Sequence, residues 1–204
     1  MLAEQAAGGG HIALSGGSTP GPAYEVAAEL QPDWSRTELW FADERCVRPD
    51  DERSNYRLVR ELLLDRLERG PAAEHRIRGE LSPEEAADAY EAELRGVVLE
   101  LVLLGMGADG HTASLFPNHL ALEERERNAV AVQRPDLPRV TLTLPVLRAT
   151  PQVVFLVTGE DKAEAVRRAF AEPPSPATPA SLVRAADGAT YAFLDRAAAA
   201  AISP

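Results

Sequence analysis

Cysteine is nearly missing: Cys46 is the one thiol in 204 residues, which rules out an intrachain disulfide and an all-cysteine zinc site. A reducing, cytoplasmic setting is expected. Long apolar runs are missing too. No stretch approaches the roughly 18 residues needed to cross a bilayer, and Met1 to Gly10 lacks the basic start and apolar core of a secretory leader. Neither membrane insertion nor export is expected. Basic side chains are outnumbered, 21 against 32 acidic, for a net charge of −11. Such a surface repels polyanions on average, so no nucleic acid partner is expected and any anionic ligand must find locally concentrated donors. His11, His75 and His119 show no metal-ligand spacing with one another or with acidic neighbours, so no metal is expected. A Gly-x-Ser-x-Gly elbow is also absent, which argues against a serine hydrolase of that fold.

What is present is enough for one full core. At 45% hydrophobic content the chain reads as a single domain over residues 1–204. Branched apolar stretches at His11–Leu14, Glu38–Ala42, Val97–Leu104, Val140–Leu144, Gln152–Val157 and Thr190–Leu194 read as strands. Helical patterns over Pro20–Leu30, Asn55–Arg69, Ser82–Glu93 and Asp161–Ala171 alternate with them. That alternation predicts an α/β fold with a mainly parallel sheet. In the first helix the stripe Ala23, Val26, Ala27 and Leu30 is expected to face the sheet, with Thr19 as cap and Pro20 in the first helical position. Ser82, Pro83 and Glu85 spell a capping box. Pro173–Ser181, with four prolines, reads as a surface connector, and Ala197–Ala201 as a terminal helix.

Several loops carry candidate chemistry. In Ser15-Gly16-Gly17-Ser18-Thr19-Pro20, between a strand and a helix, two glycines admit close backbone approach and the hydroxyls add donors. With the helix N-terminus behind it, the turn suits a phosphate; the same residues also suit an ordinary capped turn. Gly105-Met106-Gly107-Ala108-Asp109-Gly110-His111-Thr112 follows the most apolar strand. Loops at the carboxyl ends of strands line ligand crevices in open α/β sheets, so His111 is expected there as a base, oriented by Asp109. A third candidate is Asp43-Glu44-Arg45, followed by Arg53-Ser54-Asn55 at a helix start; charged residues after a strand equally suit plain loop solubility. Arg45 suits an oxyanion or carboxylate, and Asp43 suits sugar hydroxyls or a water. Lys162, in the first turn of a helix, opposes the helix dipole unless an anion binds there or Glu160 and Asp161 neutralise it. Arg139, opening a strand, is a further anion donor. Cys46 reads as a small apolar filler rather than a nucleophile.

Taken together and in order, Leu14 to Pro20, Phe41 to Arg45, Ser54-Asn55 and the run Leu104 to Pro117 resemble the 6-phosphogluconolactonase family. Arg139 to Thr143 and Thr158 to Ala163 continue the likeness. The resemblance implies a three-layer α/β/α sandwich related to sugar-phosphate isomerases, acting without cofactor on a phosphorylated sugar lactone in the pentose phosphate pathway. By position it makes His111 the base that activates water. Ser15 to Thr19 and Lys162 then hold the phosphate, and Asp43, Arg45, Asn55 and Arg139 surround the lactone. A monomer is expected.

Two departures from the family pattern stand out. Ser15 comes almost at once, where relatives carry a further helix and strand lead-in, so a native start upstream of Met1 or an altered sheet edge is expected. Leu147-Arg148-Ala149-Thr150 replaces the usual Leu-Asn-x-Ala. One alternative is a glucosamine-6-phosphate deaminase or isomerase, whose histidine loop continues with Asn-Glu-Pro where this chain has Leu115-Phe116-Pro117-Asn118. Another is a sugar-phosphate sensor, for which this chain offers neither a basic stretch nor room for a helix-turn-helix.

Overall fold

The computed structural model describes residues 1–202. In chain order it runs α1 (Leu2–Gly8), β1 (Gly10–Leu14), α2 (Gly21–Leu30), β2 (Thr37–Phe41), β3 (Asp43–Arg45), α3 (Asn55–Leu62), β4 (Ala73–His75), α4 (Pro83–Glu93), β5 (Leu101–Leu104), β6 (Ala129–Val132), β7 (Arg139–Leu142), α5 (Leu144–Ala149), β8 (Gln152–Val157), α6 (Ala163–Phe170) and β9 (Ala189–Leu194). Among the described residues, six strands form a parallel sheet in the order β4-β2-β1-β5-β8-β9. Helices flank it. Covered on both faces, Ile12–Leu14 of β1, all of β5 and Val153–Val157 of β8 are unbroken apolar runs, and Ile12, Ala13, Leu14, Val102, Val153 and Phe155 are all fully buried. The chain winds outward from β1 in one direction through β2 and in the other through β5. The order therefore reverses between β1 and β5, where a crevice opens beyond their carboxyl ends.

A second sheet, β3-β7-β6, is antiparallel. The branched residues around Val140 do form a strand, but in this small sheet and not in the parallel one. Ala42 is the junction between the sheets: its amide donates to the Leu14 carbonyl and its carbonyl accepts from the Leu142 amide, both at 2.8 Å. Local composition gives no hint of this change of partner.

Three other expectations are corrected by the structure. In α2 the inward face is Gly21, Tyr24, Ala27 and Ala28, while Val26 is 51% and Leu30 71% exposed. The tyrosine decides the rotation, because it buries a large ring and donates its hydroxyl to the Ser15 carbonyl at 2.5 Å. Thr19 does not cap α2; the N-cap is Pro20, and the Thr19 hydroxyl pairs with that of Thr158 at 3.0 Å. Ala197–Ala201 forms turns rather than a helix, since the propensity of a few alanines does not offset helix nucleation.

Boundaries shift elsewhere. Only Leu101–Leu104 of the predicted Val97–Leu104 strand pairs in the sheet; Val98 is exposed after the positive-φ Gly96 that follows α4. The patterns at Asn55–Arg69 and Asp161–Ala171 hold shorter α-helices, each joined to a 3-10 turn. The Ser82 capping box forms as predicted. The proline-rich connector is exposed at its start but buried from Thr178 to Ser181, because it packs under the histidine loop, where the Ala180 amide donates to the Gly110 carbonyl at 3.0 Å.

Candidate active site

The crevice between β1 and β5 encloses about 220 Å³. Ser15, Gly16, Gly17, Ser18, Thr19, Asp43, Arg45, Asn55, His111, Arg139 and Lys162 all line it, joined by Pro20, Gly105, Met106, Gly107, Thr112 and Ala113. Asp109 stands behind His111 rather than in the lining. Every polar candidate in the sequence thus falls within one cleft or directly behind it.

The turn after β1 forms one end. The amides of Gly16, Gly17, Ser18 and Thr19 donate to no protein acceptor among the described residues, and α2 begins immediately beyond with no side-chain cap. Unused N–H groups just ahead of a helix N-terminus are a combination suited to an anion. Lys162 borders the same cleft from the turn ahead of α6, its Nζ donating to Asp161 at 2.7 Å. The requirement for glycine at position 16 is steric, because a Cβ there would overlap the Asn55 side-chain amide. Gly16→Ala is therefore expected to displace Asn55, destabilise the fold by about 1–3 kcal/mol and cut activity, measured by thermal unfolding and turnover; a variant with wild-type stability and turnover would refute this.

The loop after β5 forms the opposite wall. His111 Nδ1 lies 2.6 Å from Asp109 Oδ1, which also accepts the His111 amide at 3.0 Å. An ionised carboxylate only accepts, so Nδ1 is the donor, and in the neutral imidazole the lone pair is on Nε2. Burial opposes the charge on Asp109, yet the His111 amide and imidazole hold its carboxyl below the ordinary value. Gly107 permits this fold-back, since a Cβ there would strike both the imidazole and the Asp109 carboxylate. Ala113 completes the turn in the left-handed region at φ 47°, a strained conformation for a residue with a Cβ.

The small sheet supplies the third wall. Register places Arg45 directly opposite Arg139 and Asp43 opposite Thr141. Like charges facing each other across strands are unfavourable without a counter-ion. Arg45 donates to the Arg53 carbonyl at 2.6 Å and Arg139 to Asp136 at 2.7 Å, while the Nε of each is buried without a partner. Asn55 Oδ1 and Ser15 Oγ are also buried and unpaired. These four unsatisfied groups belong to lining residues of a single cleft, the pattern expected where a polar ligand completes the bonding. Asp43 accepts from Ser114 Oγ at 2.6 Å and from Asn55 Nδ2 at 3.1 Å. With its NH₂ so engaged, Asn55 turns only an acceptor toward the cleft.

Two residues that matter here escaped sequence reasoning. Glu44 is 3% exposed and accepts from the amides of Arg45, Asn55 and Tyr56 and from Ser54 Oγ, tying β3 to the start of α3. Burial pushes its carboxyl above the ordinary value, against the pull of those donors. Ser114, fully buried, fixes Asp43 across 71 residues of sequence. A carboxylate between a strand and a Ser-Asn helix start was the available signal for Glu44; for Ser114 there was none beyond its place in the histidine loop. Cys46 packs beside the core, half-buried, and burial together with Glu44 and Glu84 pushes its thiol up to about 11. It remains a protonated filler.

A family profile described as "Glucosamine-6-phosphate isomerases/6-phosphogluconolactonase" matches residues 2–192. The chain is 41% identical over 203 residues to the human 6-phosphogluconolactonase, covering 92% of this chain and 79% of that one. To the 6-phosphogluconolactonase of Aggregatibacter actinomycetemcomitans it is 37% identical over 200 residues, covering 93% and 86%. The solved structure of 6-phosphogluconolactonase from Trypanosoma brucei superposes with a TM-score of 0.84 at 27% identity, covering 99% of this chain and 90% of that one. With the profile spanning nearly the whole chain and relatives above one-third identity covering more than nine-tenths of it, this protein belongs to the glucosamine-6-phosphate isomerase/6-phosphogluconolactonase family.

Proposed function

We propose that this protein hydrolyses 6-phospho-D-glucono-1,5-lactone to 6-phosphogluconate, with His111 as the base that activates water. The observation that carries the reading is the pairing in one cleft of an imidazole, its Nδ1 proton held by Asp109, with an uncapped turn of free amides and Lys162. A phosphate at the turn and a lactone carbonyl toward His111 and the two arginines would fill the cleft end to end.

In this reading His111 Nε2 takes a proton from water as the water oxygen attacks the lactone carbonyl carbon. Negative charge then grows on the carbonyl oxygen, where Arg45 and Arg139 supply guanidinium donors. Collapse breaks the bond from that carbon to the ring oxygen, which receives the proton from the imidazolium and leaves as the hydroxyl of the open acid. Atoms balance without a covalent intermediate. Asn55 Oδ1 accepts from a sugar hydroxyl, and Asp43 orients that amide and the neighbouring hydroxyls. Phosphate binding away from the carbonyl raises the effective concentration of water and base at the reacting carbon.

The base, the anion turn and both arginines are supplied by one copy of the chain, so no second copy is needed to complete the site, and the protein is proposed to act as a monomer and as one domain. The net charge of −11 and the single cysteine support a small-molecule substrate, rather than nucleic acid, in the cytoplasm. No helix among the described residues is long and apolar enough to cross a membrane.

The test is the rate of lactone opening at controlled pH with and without protein, beside ammonia release from glucosamine 6-phosphate. Acceleration of the first alone is expected. Ammonia release without lactone opening would instead assign the cleft to deamination.

A further inference from the structure

We propose that Phe116 is a positioning residue for this reaction: its ring is the shared support of the His111 imidazole and the Arg139 guanidinium, and it sets the direction and protonation range of the base. The inference rests on His111 being that base.

Phe116 does not line the cleft and is 5% exposed. Its ring centroid lies 4.7 Å from that of His111, with the planes inclined at 36°. The guanidinium carbon of Arg139 is 5.2 Å from the same centroid, and that of Arg134 is 4.1 Å away. Asp136 joins the two arginines, 2.7 Å from Arg139 and 3.8 Å from Arg134. One ring and one carboxylate thus hold two cations, of which only Arg139 reaches the cleft. A buried ring cannot swing aside to follow a misplaced neighbour, so its loss frees the base and an anion donor together.

The ring also acts on charge. The charged groups around His111 are Asp109 on its own loop and, sharing the cleft, Arg139 from β7, Asp43 and Arg45 from β3 and Lys162 from the turn before α6, with Arg134 at the ring. When the imidazole takes up a proton, the electron-rich ring face favours the cation. Removing the ring ends that attraction and opens a gap through which the two guanidinium groups approach. Both changes disfavour imidazolium, so both move its titration down.

The experiment is an NMR titration of the His111 Cε1 proton in the intact protein, assigned by its absence from His111→Asn, run beside the pH dependence of kcat/KM for lactone opening. Phe116→Leu is expected to lower the titration and the acid limb by about half a pH unit and to cut kcat/KM by about tenfold or more. Phe116→Tyr restores both. Arg134→Gln, which removes a cation from the ring, shifts the titration upward.

A folded Phe116→Leu protein that titrates like wild type overturns the proposal, as does failure of Phe116→Tyr to restore it. If Phe116→Leu does not fold, Arg134→Gln decides: a titration unmoved or lowered overturns the proposal. The NMR arm needs no substrate, so absent lactone turnover in the wild type would count against the proposed function while the effect of the ring on His111 is still read.

Discussion

Replacement of His111 by asparagine is expected to slow lactone opening by about 10²–10⁴-fold, the usual contribution of a positioned base. Affinity for 6-phosphogluconate should change little, because the groups proposed to grip the phosphate lie on the turn after β1 and at Lys162, on other elements of the cleft. Asparagine keeps a donor near Asp109 but offers no basic nitrogen, so a loss confined to kcat separates proton transfer from packing. The pH profile sharpens the argument. Asp109 sits below its ordinary carboxyl range in the folded protein, so its stabilising bond to His111 is in place above the unfolded carboxyl value of about 4 and is lost only as pH falls through the depressed folded value. A loss of activity that sets in at higher pH than this therefore does not come from Asp109. Turnover by His111→Asn within a few-fold of wild type would remove His111 from the mechanism.

Lys162→Ala should show a contrasting pattern. A charge-assisted contact to phosphate contributes roughly 1.5–3 kcal/mol, so kcat/KM on the phosphorylated lactone should fall by about 10–100-fold. Unphosphorylated gluconolactone, which gains nothing from that contact, should be opened at an unchanged rate. Stability should not suffer. Lys162 is the N-cap of α6, where a cation opposes the helix dipole by about 0.3–1 kcal/mol, offset by its bond to Asp161. A variant equally impaired on both lactones, or markedly less heat-stable, would show that Lys162 supports the fold instead of reading phosphate.

Much of this arrangement was legible in the sequence because its chemistry is local. Gly16-Gly17 and Gly105 to Gly110 announce turns by composition, and in a parallel sheet turns after strands gather at one edge. His111 and its partner Asp109 are two residues apart, so one loop carries both. The face of α2 was not legible, since Tyr24 outweighed the more aliphatic stripe of Val26 and Leu30 through a ring contact and a hydrogen bond that depend on β1 being in place. Nor was the pairing of Arg45 with Arg139, which needs the register of two strands more than 90 residues apart. Glu44 looked like loop solubility and proved to be a buried tie between β3 and α3. Sequence reading recovered the participants of the cleft, while the antiparallel sheet and its register determined which of them face one another.

The junction at Ala42 gives the cleft a particular mechanical character. The histidine loop and the glycine turn hang from the large sheet, the arginine pair from the small one, and a single methyl-bearing residue, fully buried, is hydrogen-bonded to both. The span available to a substrate is thereby gauged at the backbone, remote from any reacting atom. A bulkier side chain at this one corner would displace the two sets of groups relative to each other without replacing any of them.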